Sequence, residues 1–364
     1  MTTQNPPGEP SPSAFAETAE LPLSALAGPG NAGEVVAVLR ERVRSGSAPG
    51  ERDDGMRIAL GIEGGGMRGA VTAGMAYALH ELGITSAFDA VYGASAGAIN
   101  AAWLVSSRPE GLRGWTDPSF PQALISWRAL LRGKPVVDVH TLVEEVYVNK
   151  FPLDFASVLA SPIEYHPLAT DAVTGRTADL RPLVAEVPEI RLALRASAAL
   201  PFLAGPPVTL RGRRFYDAGV AEAIPFRTPL EQGATHILVL RSKAAAGPMH
   251  DGTLGSFVGV DASRLPPPPR SVRLLTRTTL RRESPELRSA LLSRAVRTAQ
   301  DVSRITELEA SGRAFAVYGG RDTPPISRMT SDGRMLAEAF EAGRAALHRV
   351  FTPGTLRTCR LLFR

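Results

Sequence analysis

From residue 56 onward the chain alternates short apolar runs with longer stretches of helical period. "MRIALGI" (56–62) predicts a strand, "GAVTAGMAYALHELG" (69–83) a helix, "FDAVYG" (88–93) a second strand and "AGAINAAWLVSS" (96–107) a second helix. Strand, loop, helix, strand, tight turn, helix is the order of an α/β protein. It predicts a mostly parallel central sheet flanked by helices. Later strands are expected at "EYHPLATDA" (164–172) and "THILVLRS" (235–242), and helices at "PQALISWRALLRG" (121–133) and "DLRPLVAEV" (179–187).

The flanks read differently. Residues 1–32 are rich in Pro, Ser, Gly and Ala and hold no period, so residues 1–50 are expected to be a flexible tail carrying one short helix at 33–45. Val35, Val36, Val38, Leu39 and Val43 would form the apolar side of that helix. The core domain is expected at 57–245, with a loop and helical C-terminal extension at 246–364 packed on it. Within the extension, Ser284 with Pro285 behind it marks a helix start. Leu291, Ala295, Ala299 and Val302 would share one face and Arg294, Arg297 and Arg304 the solvated one, although a membrane-surface helix is the alternative. Leu336, Phe340 and Leu347 predict a last helix over 333–350, stopped by Pro353 and Gly354. No internal repeat is present.

Composition narrows the class. With 364 residues and 44% apolar content, the chain can bury a sizeable core. It has no apolar run long enough for a transmembrane helix, and its first residues lack the charged and apolar regions of a secretory signal. Cys359 is the single cysteine, so no internal disulfide exists. A cytoplasmic protein, peripheral at a membrane at most, is the expectation. Net charge is +5 and the excess is arginine, since Lys134, Lys150 and Lys243 are the only lysines among 41 cations. Such a surface favours phosphate or an anionic membrane face, with plain solubility the simpler reading. Nothing points to nucleic acid, a metal or an organic cofactor, and the oligomeric state is not legible.

Three short motifs carry candidate chemistry. In "VYGASAGAIN", Ser95 stands between Gly93 and Gly97, at the junction of a predicted strand and helix. That is the context of a nucleophile elbow: the sharp turn admits little beyond hydrogen at the glycines, and the helix N-terminus favours developing negative charge. In "GIEGGGMRGA", Gly64, Gly65, Gly66, Met67, Arg68 and Gly69 follow a strand and open a helix. This loop suits either a phosphate cradle or an oxyanion hole. The nucleotide reading lacks its following Lys-Ser/Thr and a clearly placed acidic partner, whereas the elbow serine downstream favours the oxyanion. The third motif is Asp217-Ala218-Gly219 in "RRFYDAGVAEAIPF", by itself no more than a turn. A serine nucleophile needs a base. Of His80, His140, His166, His236, His250 and His348, only His250 lies downstream of Asp217 in a loop free to enter a site. A Ser-His-Asp hydrolase using His250 therefore stays open, as does a non-catalytic lipid-binding protein that keeps the fold.

Taken in order, Gly64-Gly65-Gly66-x-Arg68-Gly69, Gly93-x-Ser95-x-Gly97 and Asp217-x-Gly219 resemble the signature of the patatin-like phospholipases. "GMRGAVTAGMAYALHELGI", "ATDAVTG" (169–175) and "ASAALPFLAGPPVTLRGRRFYDAGVAEAIPF" (196–226) extend the resemblance, which covers roughly residues 57–245. It implies a patatin-like three-layer fold and a lipid acyl hydrolase of phospholipase A, lysophospholipase or esterase type, working without a cofactor on a lipid or other acyl ester. It also implies a Ser95–Asp217 dyad in place of a triad, with Gly64 to Gly69 supplying the oxyanion hole. Ala218 stands where the family commonly has glycine, and Glu63 where it commonly has aspartate. Transient contact with a membrane surface would accompany such a substrate.

Overall fold

The computed structural model describes residues 33–244, 265–320 and 322–352. Eight strands form one sheet: β1 (Ile58–Ile62), β2 (Ala90–Ala94), β3 (Glu164–Asp171), β4 (Thr177–Asp179), β5 (Val208–Leu210), β6 (Arg213–Asp217), β7 (His236–Ala244) and β8 (Ala314–Gly319). Their order is β5-β6-β3-β2-β1-β7-β8, with β4 paired on β3. β3, β2, β1, β7 and β8 run parallel to one another, and β4, β5 and β6 form an antiparallel margin.

The central strands read as continuous apolar runs because both of their faces are covered. Successive side chains point to opposite sides of a strand. Thus Ile58, Leu60 and Ile62 of β1, Val91 of β2, and Leu238 and Leu240 of β7 face one core. That core holds residues of helices α1 (Gly33–Ser45), α2 (Gly69–Glu81) and α3 (Ala96–Val105), and of the helix Gly333–Phe351. Ala59, Tyr92, Ile237 and Val239 face a second core with Ala299, Val302, Ile305 and Leu308 from the helix Arg294–Ala310. The result is three layers: helix, sheet, helix. α2 and the helix Gly333–Phe351 approach closely. A Cβ on Gly74 would lie 1.9 Å from the Phe340 carbonyl oxygen, and one on Gly343 would lie 2.0 Å from that of Val71.

Several expected elements differ in detail. The span 121–133 is not one helix. Helix Phe120–Leu124 ends because Ile125 turns extended and bridges to Val137, and a short 3₁₀ segment, Trp127–Arg132, follows. In 179–187, Asp179 ends β4 and only a 3₁₀ turn, Arg181–Leu183, forms. The true helix is Val187–Ser197, started by a reciprocal capping box between Glu186 and Glu189 with Pro188 in its first turn. α1 forms where expected, yet Val43 is exposed while Arg42 is buried, donating to Asp54 at 2.7 Å, to Asp89 at 2.9 Å and to the Ala87 carbonyl at 2.9 Å.

Ser284 does cap a helix, its hydroxyl accepting from the Leu287 amide at 3.0 Å. That helix stops at Leu292, Ser293 breaks it, and a second helix, Arg294–Ala310, follows. The last helix is capped by Asp332 and ends at Phe351. β8, an alternating apolar stretch within the C-terminal residues, was not expected from the pattern; it pairs with β7. His250, Cys359, Pro353 and Gly354 lie outside the described residues.

Candidate active site

Parallel pairing sets the site. β1 and β2 are neighbours in register, Ile62 beside Gly93, so the loops that follow them emerge at one edge of the sheet. One loop is Glu63 to Arg68 and the other is the turn at Ser95. β3 continues the register with Leu168 beside Ala94, and antiparallel β6 then places Asp217 beside Ala169. Two residues distant in sequence thus end at the same level of the sheet, separated by one strand.

Ser95 joins β2 directly to α3 and holds φ 56°, ψ −125°. A non-glycine residue at positive φ is strained, and strain at a strand-to-helix junction is the mark of a nucleophile elbow. Close approach enforces the flanking glycine: a Cβ on Gly97 would stand 2.2 Å from the Ile62 carbonyl oxygen. The Ser95 amide donates to Ser197 Oγ at 2.9 Å, which pins the turn to the helix Val187–Ser197.

The glycine loop is held from three sides. Gly64 N donates to Ala223 O at 3.1 Å and Met67 N to Arg328 O at 3.1 Å, while Ser242 Oγ donates to Gly64 O at 3.0 Å. Gly66 has φ +58°, and a Cβ there would lie 2.6 Å from Arg328 O. Glu63, just ahead of the glycines, is buried. Its carboxylate accepts from Arg241 Nε at 2.9 Å and from Ser242 N at 2.8 Å. Burial would raise this carboxyl, but Arg241, Lys243 and Arg68 hold it below the ordinary carboxylate range.

Asp217 is fixed through its backbone. Its amide donates to Ala199 O at 3.0 Å and its carbonyl accepts from Thr170 Oγ1 at 2.8 Å. Oδ1 accepts from Gly219 N at 2.7 Å. Burial pushes this carboxyl above its ordinary range. The Ser95 hydroxyl beside it, the Arg294 guanidinium and the Gly219 amide pull the other way and favour the charged form. The buried Glu222 carboxylate stiffens the chain beyond, accepting from the amides of Phe226, Arg227 and Thr228.

Ser95, Asp217, Gly64, Gly65, Gly66, Met67 and Gly219 line one solvent-open cavity. Ile99, Trp115, Leu124, Ile125, Val139 and Leu142 form much of the remaining wall, an apolar surface suited to a hydrocarbon chain. Trp115 is oriented by its indole N–H, which donates to Asn100 Oδ1 at 2.9 Å. Arg294, Arg328 and Met329 also line the cavity, so Arg294 does not lie on a solvated helix face as its spacing suggested.

The five described histidines lie elsewhere. His166 pairs with Asp179 and Glu164, His80 with Glu110, His236 with Glu34, His348 with Glu81, and His140 is exposed. None of them lines the cavity. No cluster of potential metal ligands occurs among the described residues, and no described helix is long and apolar enough to cross a membrane. Sequence reasoning missed Ser197, Ser242, Asn100, Arg294 and Arg328. Asn100 stands within the serine motif itself, while the other four come to the site from distant parts of the chain without a local motif.

Fold and site together define a three-layer α/β protein with a strained serine between strand and helix, a glycine loop on the neighbouring strand and a buried aspartate across the sheet. Residues 60–230 match the family model described as patatin-like phospholipase. Among curated proteins, an uncharacterized protein of Escherichia coli K12, YjjU, is 30% identical over 194 residues, covering 51% of this chain and 52% of its own. An uncharacterized NTE family protein of Mycobacterium tuberculosis is 29% identical over 224 residues, covering 58% of this chain and 54% of its own. The chain thus spans about half the length of the curated relatives it matches. Among solved structures, VipD from Legionella pneumophila matches with a TM-score of 0.37 and 12% identity, over 81% of this chain and 66% of that one.

Proposed function

We propose that this protein is a serine acyl hydrolase that releases fatty acid from lipid esters through a Ser95–Asp217 dyad. The observation that carries the reading is the meeting of a strained elbow serine and a buried carboxylate in one apolar cavity. Ser95 Oγ attacks the ester carbonyl and its proton passes to Asp217. The carbonyl oxygen becomes an oxyanion beside the glycine loop. Since the Gly64, Met67 and Arg68 amides are engaged within the protein, the Gly65 and Gly66 amides are the ones assigned to it. Collapse expels the alcohol, which takes the proton back from Asp217, and leaves an acyl-enzyme. Water then attacks the acyl carbonyl as Asp217 accepts its proton, and fatty acid leaves as the proton returns to Ser95.

Burial suits Asp217 to this role. At its ordinary pKa of about 3.9 a carboxylate is a weak base, and desolvation strengthens it. A fluorophosphonate probe tests the reading: wild type is labelled and Ser95→Ala is not. Should His250→Ala abolish hydrolysis while Asp217→Asn leaves it intact, the dyad is wrong and a triad takes its place.

The substrate reading extends to a lipid surface. Trp127 is 58% exposed, Arg128, Arg132 and Lys134 are exposed near it, and the segment directly follows cavity-lining Leu124 and Ile125. An exposed tryptophan among cations favours an anionic membrane interface. Co-sedimentation with anionic vesicles at low salt, weakened in Trp127→Ala, is the expected result.

A further inference from the structure

The cavity is not equally open along its length. Gly66 is exposed and Val137, Leu200, Arg328 and Met329 are half-buried, so these residues stand at the mouth. Ile99, Trp115, Phe120 and Leu142 line the same cavity, yet each is no more than 4% exposed. Those four form its dry floor. All of them are apolar, whereas Asp217, Arg294 and Arg328 supply the charge of the lining. A hydrocarbon chain attached at the half-buried Ser95 gains most by running toward the floor, since each methylene removed from water is worth roughly 4-fold in binding.

Trp115 is the largest side chain of that floor, and it is locked in place. Its indole N–H donates to Asn100 Oδ1 at 2.9 Å. Asn100 is fully buried and fixed in turn, its amide donating to Gly69 O at 2.9 Å and to Thr72 Oγ1 at 3.0 Å. The ring edge presses on Gly69, where a built Cβ would lie 3.0 Å from Trp115 Cη2 and 2.7 Å from Ala96 Cβ. Phe120 packs on the ring, 4.9 Å from centroid to centroid. The backbone is pinned as well. Leu112 is buried in the core, and a Cβ on Gly111 would lie 2.0 Å from Trp103 Cζ3, so the 3₁₀ segment Pro109–Thr116 sits tight against α3. Swinging the indole aside would leave the buried Asn100 Oδ1 without its donor, a costly loss. Ala96 directly follows the nucleophile, so the contacts that fix Trp115 also fix the depth of the floor below Ser95.

We infer that Trp115 is the acyl-length stop of this cavity, a specificity-determining residue whose position Asn100 sets. The inference rests on the hydrolase reading above and adds the acyl selectivity to it. Chains that end at the indole are buried whole. The last carbons of longer chains meet a wall that does not yield, turn back toward the mouth and gain no further burial. Removing the indole opens the floor to them. The rival role for Trp115 is purely structural, to hold α3 against the start of α2 without meeting the acyl chain.

The test compares p-nitrophenyl octanoate with the palmitate ester, dispersed alike in detergent, in wild type, Trp115→Ala, Trp115→Phe, Asn100→Val and the exposed control Arg304→Gln. Wild type is expected to prefer octanoate by kcat/KM. Trp115→Ala should raise the palmitate-to-octanoate ratio about 10- to 100-fold, the value of two or three newly buried methylenes. Trp115→Phe falls between the two. Asn100→Val frees the indole and raises the ratio less, and it adds nothing to Trp115→Ala, because it acts through the ring. Arg304→Gln leaves the ratio as it is in wild type. Equal proportional losses on both esters, or a wild type without preference for octanoate, would overturn the proposal in favour of the structural role. If Trp115→Ala does not fold, Trp115→Phe and Phe120→Ala carry the comparison. Free fatty acids provide a readout that needs no turnover. Octanoate should raise the melting temperature of Ser95→Ala, and palmitate should do so only once Trp115→Ala is added; palmitate that stabilises both equally would overturn the stop. Wild type that neither hydrolyses an ester nor labels at Ser95 would sink the hydrolase reading, while the fatty-acid shifts would still decide the stop.

Discussion

The cavity has two kinds of wall. One is made at the sheet edge by β1, β2 and β6, where Ser95, the glycine loop and Asp217 are set by strand register within residues 60–230. The other is contributed by C-terminal residues, with Arg294 and Arg328 placed by a helix start and a loop. The first is dictated by hard sterics: its glycines cannot change and its serine is strained. The second carries two cations, Arg294 and Arg328. The difference teaches that the walls of one cavity can be specified by separate parts of a chain, under separate physical constraints.

The comparison predicts unequal consequences. Ser95→Ala or Asp217→Asn should lower kcat by about 10⁴-fold or more, and combining them should cost little extra, because members of one catalytic unit are not additive. Steady-state rates on a short-chain ester check this. Full additivity would mean that the pair does not act together.

Next in size is Arg241→Met. It leaves the Glu63 carboxylate buried without its cation, and the loss should be about 3–5 kcal/mol in a denaturant titration. A near-neutral result would show that the Ser242 amide together with Lys243 and Arg68 suffices to hold Glu63 under the glycine loop.

A pH profile sharpens the link between the two walls. The base must be unprotonated, so kcat/KM falls as pH drops through the Asp217 pKa, and burial places that limb above the usual carboxylate range. Arg294 lowers this pKa. Arg294→Gln should therefore move the acid limb to higher pH on a neutral ester, and a limb that stays in place would separate the arginine from the aspartate.

The smallest effect belongs to the solvent side of the same helix. Arg304 and Glu307 form an exposed pair, and Arg304→Ala should change stability by less than about 1 kcal/mol. A larger loss in thermal denaturation would show that this face of the helix is covered.

How legible each wall was in the sequence follows from its physics. The central strands and α2 and α3 were readable because apolar runs and helical periods report local burial. Gly93-x-Ser95-x-Gly97 was readable because a turn that excludes side chains leaves its mark in adjacent residues. The span 121–133 misled because its apolar residues are spaced as in a helix, while Ile125 finds a bridge partner at Val137. Arg294 misled for a related reason. Helical spacing put it opposite Leu291 and Ala295, yet the chain breaks at Ser293 and Arg294 lines the cavity. Arg42 shows the same limit: a charge in an apolar stripe looks solvated until Asp54 and Asp89 are seen around it.

By itself the sequence determined the alternation of strands and helices, the three motifs and their order. These are properties of neighbouring residues, and period, small size and turn geometry act over a few positions. Tertiary structure alone decided that Asp217 stands across one strand from Ser95, that Ser197, Ser242 and Ala223 hold the two loops, and that two arginines enter the cavity. Those placements depend on strand order, register and the packing of distant segments on one another, which no short stretch of chain encodes.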